Sequence, residues 1–378
     1  MNRELFDLSL QSLRRKKRSS LLLFAVLFLS FAFAIVSLTV TGSIQETNRE
    51  YLFDTYGTWY GAIPSGAIAD ESFLRQQEWL DKLGICVSYG EIHTGSRTGS
   101  IGTVDDDFLQ IGRISLQDGR LPSKAGEIAM EADLLSALGY DYTLGQEITF
   151  SVSVSAGKSP VSVEQSFTLC GIIREYADLW VRSHNSKGRL LNSAIITQDA
   201  ADSLWHIAQE TAEEAFLETE DGEADTPVLD SLVPQYHFSV LPGYEEEATE
   251  QVNSYLGSHR HDDLLVSLNL PILNRIVSNE SYDAFYAGVI LVVTMLSIIC
   301  IHVIRFQDEA RQMSVFRSIG VTRHQLCRML FYETLCLALP AIVLGVGAAY
   351  LGIWVLLRLA VYSGSAPIRF SLPISLLV

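Results

Sequence analysis

Residues 316–335 read FRSIGVTRHQLCRMLFYETL, a basic stretch held between two apolar runs, FYAGVILVVTMLSIICIHVI (285–304) and LCLALPAIVLGVGAAYLGIWVLL (335–357). Each flanking run has the roughly 20 apolar residues needed to cross a bilayer as a helix. The stretch between them carries its own helix signals. Gly320 stands where a left-handed C-terminal cap would close one helix. Thr322 can then start the next, with Gln325 three positions on in a T-x-x-Q capping box. Val321 and Leu326 flank that start as a hydrophobic staple. The sequence therefore specifies helix, glycine break and second helix, which an unstructured loop would not need.

Working outward, a third apolar run covers Ser20–Val40, preceded by the basic stretch RRKKRSS. Ala32-Phe33-Ala34 resembles a signal-peptidase site, so a cleaved secretory signal is the alternative to an anchor. The apolar character continues through Ile35, Val36, Leu38 and Val40, past the roughly 7–15 residues of a signal core, and favours an uncleaved anchor. Charge orients the chain. Residues 1–18 hold six bases against Glu4 and Asp7, and the connector holds Arg305, Arg311, Arg317, Arg323 and Arg328 against Asp308 and Glu309. Both belong on the cytoplasmic side by the positive-inside rule. Residues 19–282 hold 14 Lys/Arg against 38 Asp/Glu, a balance of −24 that faces outward and accounts for the net −17 of the 378-residue chain. Such acidity argues against a nucleic-acid partner.

The expected organisation is a cytoplasmic interfacial helix (1–18), a first span (19–42) and an outer α+β domain (43–281). A second span (282–305), a cytoplasmic coupling segment (306–328) and a third span (329–358) follow. An outer loop (359–371) and the start of a fourth span (372–378) end the sequence, which is read as cut inside that helix. Within the outer region, GEIAMEADLLSALGYDYTLGQEITF reads as strand, short helix, turn and strand. FSVSV and VSVEQSFTLCGII flank Gly157-Lys158-Ser159-Pro160 and predict a hairpin. AADSLWHIAQETAEEAFLE and GYEEEATEQVNSYLGS are helical by period, and GSIQETNREYLFDTYG extends the first span as helix.

In this order of elements, the segment RFQDEARQMSVFRSIGVTRHQLCRMLFYETL and the glycine-rich run after it resemble the FtsX-like permease domain of ABC transporters, the MacB and lipoprotein-transport group. Glu309, Arg317, Ile319, Gly320, Thr322, Arg323 and Glu333 occupy the family's positions. In the outer region Gly119, Arg120, Pro122, Gly126, Glu127, Leu138, Gly139 and Gly145 follow its GR-x-P…GE-I…LG…G pattern, with Gln146 where Asp is frequent. The resemblance implies an outer domain like the MacB periplasmic core and a cytoplasmic helix that contacts a separate ATPase. It also implies a dimer, with a second permease copy or half, that transmits motion across the membrane. ATP and Mg would then act through the partner. No G-x-x-x-x-G-K-[ST] occurs, so the chain has no phosphate cradle of that kind, and no cofactor of its own is expected. The implied role is a permease subunit in the cell membrane, amino terminus cytoplasmic, exporting or extracting a peptide, antibiotic or lipid-linked substrate. A non-transporting regulator of a cell-wall hydrolase and a receptor with an outer ligand-binding domain are the alternatives.

The candidate site residues follow. Arg311, Phe316, Arg317, Gly320, Thr322 and Arg323 would dock the ATPase; the plainer alternative is that the arginines bind anionic membrane lipid alone. Glu333 is read as an ion-pair partner of Arg305 or Arg328, in preference to a proton relay. Pro340 is expected to kink the third span, and Ala341, Gly345 and Ala349 form a small-residue ridge for packing within or between subunits. His259, His261, Asp262 and Asp263, like Asp105–Asp107, read as acidic turns before metal sites, and no metal is expected. No nucleophile signature appears, so the chain is not read as an enzyme. Cys86 and Cys170 either sit in the core as thiols or pair outside.

Overall fold

The computed structural model describes residues 17–95, 97–156, 160–183, 191–217, 229–259, 266–274 and 322–362, with isolated helical residues between 288 and 307. The chain divides into two compact units, one of residues 1–49 and 276–378, the other Glu50–Arg275.

In the first unit, helices α1 (Lys17–Tyr56) and α8 (Arg323–Tyr362) each run for 40 residues. α1 belongs to this unit as far as Arg49. Their apolar windows, Ser20–Ser37 and Phe331–Val355, have mean hydropathies of 2.6 and 2.1. Among the described residues these are the two helices long and apolar enough to cross a membrane. Leu21, Leu22, Leu29, Phe33, Val343, Leu351 and Trp354 lie exposed along them. Apolar exposure of this kind suits contact with lipid.

The second unit is built on a ten-stranded sheet. Its strands are β1 (Gly61–Ile63), β2 (Leu80–His93), β3 (Thr98–Val104), β4 (Leu116–Gly119) and β5 (Glu127–Glu131). β6 (Glu147–Val154), β7 (Val161–Ile173), β8 (Asn192–Ile196), β9 (Pro234–Val240) and β10 (Ser267–Leu268) complete it. The spatial order is β10-β1-β9-β2-β3-β8-β5-β7-β4, and β6 bonds to both β2 and β7. The pairing thus closes a ring of six strands: β2, β3, β8, β5, β7 and β6. β3–β8 and β5–β7 are parallel and the other pairs antiparallel.

β8 is buried at every position, and β5 from Ile128 to Glu131. Alternate side chains of a strand point to opposite faces, and here each face has a core. Ile128, Met130, Ala194 and Ile196 join Ile101, Ile148 and Leu169, covered by α4 (Ala132–Ala137) through Leu134 and by α6 (Gln198–Leu217) through Leu204 and Ala208. Ala129 and Ile195 join Trp59, Cys86 and Phe108, together with Tyr176 and Trp180 beside and within α5 (Ala177–Ser183). A third core lies under α2 (Ile68–Arg75) and α7 (Glu245–His259), where Ala248, Val252 and Leu256 form one stripe against Trp79, Leu83 and Phe238. Cys86 and Cys170 are both free thiols.

The hairpin expected from FSVSV and VSVEQSFTLCGII is β6–β7, with Val154 opposite Val161. The strand and helix expected in GEIAMEADLLSALG are β5 and α4, and the helical extension expected after the first apolar run reaches Tyr56. Asp105 caps α3 (Asp106–Gly112): its Oδ1 accepts from the Phe108 and Ile85 amides at 2.7 and 2.9 Å. The Asp105–Asp107 run is thereby a helix start, and no metal-holding cluster occurs among the described residues. His261, Asp262 and Asp263 lie outside the described residues.

Candidate functional site

Of the residues expected to dock an ATPase, Arg311, Phe316, Arg317 and Gly320 lie outside the described residues, as does Arg305. Thr322 is exposed at the head of α8, and Arg323 begins the helix. The Thr322 amide donates to Gln325 Oε1 at 3.0 Å. The Gln325 amide returns a bond to the Thr322 carbonyl at 3.1 Å, in place of the hydroxyl that a full capping box would use. The glutamine half of the expected box is therefore formed, and it fixes the first turn.

Along α8 the buried positions Glu333, Ala341, Gly345, Ala349 and Ile353 recur at multiples of four. Residues four apart lie on one helix face, one above another. Ala341 packs on Leu23 and Leu27 of α1. A side chain at Gly345 would meet the Phe28 carbonyl oxygen at 3.2 Å, so a hydrogen at this position lets the two backbones approach. Within the chain the small-residue ridge thus serves the contact with α1. Pro340 is exposed, and the helix continues through it. Glu333 is 1 % exposed, whereas Arg328 is exposed. The two are five residues apart, about 140° around the helix.

The last turns of α1, from Glu50, belong to the second unit. Arg113, in the left-handed conformation (φ 48°) at the end of α3, donates to Glu50 Oε2 at 2.6 Å and to Asp54 Oδ1 at 3.1 Å. Its guanidinium lies 5.2 Å from the Phe53 ring centre. Trp180 Nε1 donates to the Thr55 carbonyl at 3.0 Å, and Asn269 Nδ2 to those of Tyr56 and Trp59 at 3.1 and 3.0 Å. The Thr55 and Tyr56 carbonyls at the carboxyl end of the helix are thus taken up by side chains of the sheet domain. Sequence reading missed this grip, because its donors lie 59 to 213 positions from their acceptors.

The GR-x-P…GE motif is structural here. Arg120 Nη1 donates to Glu127 Oε2 at 2.8 Å, and Glu127 also accepts from the Ser123 amide; the Arg120 bond above all, with the Ser123 amide, holds the carboxyl down at about 2. Gly119 (φ 78°) lies against the Cys170 carbonyl, where a Cβ would come within 2.3 Å. Only glycine fits both that φ and that approach. Gly139 closes α4 at φ 85°.

Beneath the β5–α4 corner, fully buried Glu131 accepts the Tyr176 and Ala177 amides at 2.7 and 2.8 Å and pairs with Arg97 at 2.8 Å. Arg97, 12 % exposed, also bonds Asp133 at 2.7 Å and lies 3.5 Å from Asp178. Burial pushes the Glu131 carboxyl up to about 7, against amides and a guanidinium that favour the anion.

Residues 284–378 match the FtsX-like permease C-terminal family model. That region takes in the connector and α8. No curated protein matches the chain at a significant level. Among solved structures, one is described as a domain of a permease from Porphyromonas gingivalis. It is 13 % identical, covers 56 % of this chain and 88 % of its own length, and has a TM-score of 0.28. Another is the extracellular domain of the noncanonic ABC-type transporter YknZ from Gram-positive bacteria. It is 11 % identical, covers 52 % of this chain and 94 % of its own, and has a TM-score of 0.27. Both scores lie below the range that establishes a shared fold.

Proposed function

We propose that the chain is the membrane subunit of an ABC-type transporter. A separate cytosolic ATPase docks on the connector around Phe316 and Arg317, and its motion passes through the membrane helices to the outer sheet domain. The work done there is export or extraction of a peptide, antibiotic or lipid-linked substrate. ATP and Mg belong to the partner, and a second permease copy or half completes the assembly. The observation that carries this reading is the FtsX-like match over the segment that holds the connector and α8.

The test is copurification of the full chain with ATPases encoded beside it, followed by ATPase assays. Phe316→Ala and Arg317→Glu should weaken association, because a buried aromatic and an arginine are typical interface anchors. Recovery of no ATPase, or unchanged association and coupled activity in both variants, removes the docking role. The arginines would then be lipid anchors.

A further inference from the structure

We propose that a cleft in the outer sheet domain binds an organic cation, a primary ammonium or guanidinium on an alkyl chain. The cleft arises from the strand pairing. β9 follows one edge of β2 as far as Val87, opposite Pro234, and β6 meets the same edge at Glu91, opposite Ser153. Between these contacts β2 carries a bulge at Ser88–Gly90. The wedge where β9 and β6 diverge is a cavity of about 420 Å³. That volume suits one or two extended side chains and falls in the usual range of ligand sites, roughly 300–1,000 Å³.

Its ionisable groups are two carboxylates and one histidine. Glu91 and Asp230 supply the carboxylates, His93 Nε2 lies 3.4 Å from Glu91 Oε2, and among the described lining residues there is no lysine or arginine. The Glu91 side chain is 49 % exposed and so reachable. Tyr89 and Trp205 supply aromatic surface, set edge to face with centres 6.2 Å apart. Tyr89 is fixed by Gln198, whose Nε2 donates to its hydroxyl at 2.7 Å. Asp230 is held in place by Ser155, whose hydroxyl donates to Oδ2 at 2.7 Å and whose carbonyl accepts the Asp230 amide at 3.0 Å. Carboxylates beside an aromatic face attract a cation by charge-assisted hydrogen bonds and by the ring quadrupole together. An anionic ligand would be repelled by both carboxylates and by the −24 balance of residues 19–282. The proposal stands on the cleft and is independent of ATPase docking.

The test is calorimetric titration of the full chain in lipid nanodiscs with tri-lysine, spermidine and tri-N-acetylglucosamine. Tri-lysine should bind once per chain, at least tenfold more weakly to the Glu91→Gln/Asp230→Asn double variant and to Trp205→Ala. Glu164→Gln, a charge change on exposed β7 away from the cleft, should bind as wild type. Carbodiimide coupling of tri-lysine followed by mass spectrometry should mark Glu91 or Asp230, which settles the site even if Trp205→Ala fails to fold. Binding of spermidine alone assigns the cleft to free polyamines, and binding of tri-lysine to peptide side chains; either upholds the proposal. Binding of the neutral sugar alone, equal loss in Glu164→Gln, or no binding of either cation overturns it.

Discussion

Arg113 Nη1 and Glu50 Oε2 stand 2.6 Å apart, joining the end of α3 to the last turns of α1 across 63 residues of sequence. Arg113 is about one-third exposed, so its pairs with Glu50 and Asp54 are partly screened and worth up to about 1 kcal/mol each. Arg113→Ala should therefore speed amide exchange across residues 50–56 roughly tenfold, equivalent to about 1.4 kcal/mol. Because Arg113 has a positive φ, Arg113→Gly relieves backbone strain while removing the same side chain. The glycine variant should recover global stability without recovering protection of residues 50–56. Equal protection in all three proteins would show that the guanidinium does not hold the helix.

The ridge on α8 makes a sharper packing prediction. At Gly345 even a methyl group would lie 3.2 Å from the Phe28 carbonyl oxygen, whereas Gly347 has nothing within 4 Å. Gly345→Leu forces α1 and α8 apart and should cost about 1–3 kcal/mol, with a lower unfolding temperature in detergent. Gly347→Leu should leave that temperature within a degree or two. Equal behaviour of the two variants would mean that the contact with α1 does not matter to stability.

How much of this was legible in the sequence depended on distance along the chain. The β6–β7 hairpin was readable because alternation and the turn residues Gly157–Pro160 are adjacent. The α7 stripe Ala248, Val252 and Leu256 was readable because four-residue spacing is local. The motif residues Gly119, Arg120 and Glu127 were visible as a pattern, but their work of locking the β4–β5 connection against Cys170 required the fold. Ring closure through Glu91 and Ser153, and the parallel pairs β3–β8 and β5–β7, leave no local signature. For the same reason neither the Arg97–Glu131 pair nor the cleft between β9 and β6 was foreseen. The charges of the connector sit together in the sequence, whereas Arg97 and Glu131 are brought together by folding.

Topology can be checked at two single positions. By the positive-inside rule we propose that Asp221 lies outside and Arg317 in the cytoplasm. A cysteine at Asp221 should react with an impermeant maleimide on intact cells, and one at Arg317 only after permeabilisation. Reaction of the Arg317 position from outside would reverse the orientation. It would also place the FtsX-like connector where no cytosolic ATPase can reach it.

Glu131 should give the sheet domain a specific pH response. In the folded chain its carboxyl titrates at about 7, raised chiefly by burial from the ordinary value of 4.5. Between those two pH values the folded form holds a proton that the unfolded chain has released. The stabilising contribution of this proton is complete below about 4.5 and is lost as the pH rises through 7, by up to about 3 kcal/mol. Glu131→Gln cannot titrate, yet its amide oxygen can still accept the Tyr176 and Ala177 N–H groups. Arg97 keeps Asp133 at 2.7 Å, so the variant does not leave the guanidinium without an anion. Unfolding temperatures of the full chain measured from pH 5 to pH 8 should therefore favour the wild type most at pH 5. The advantage should shrink up to about pH 7 and level off by pH 8. Glu175, also raised by burial and by Asp133, titrates in both proteins and cancels from the comparison. A gap that stays constant, or that widens with rising pH, would mean that Arg97 and the two amides keep Glu131 ionised throughout.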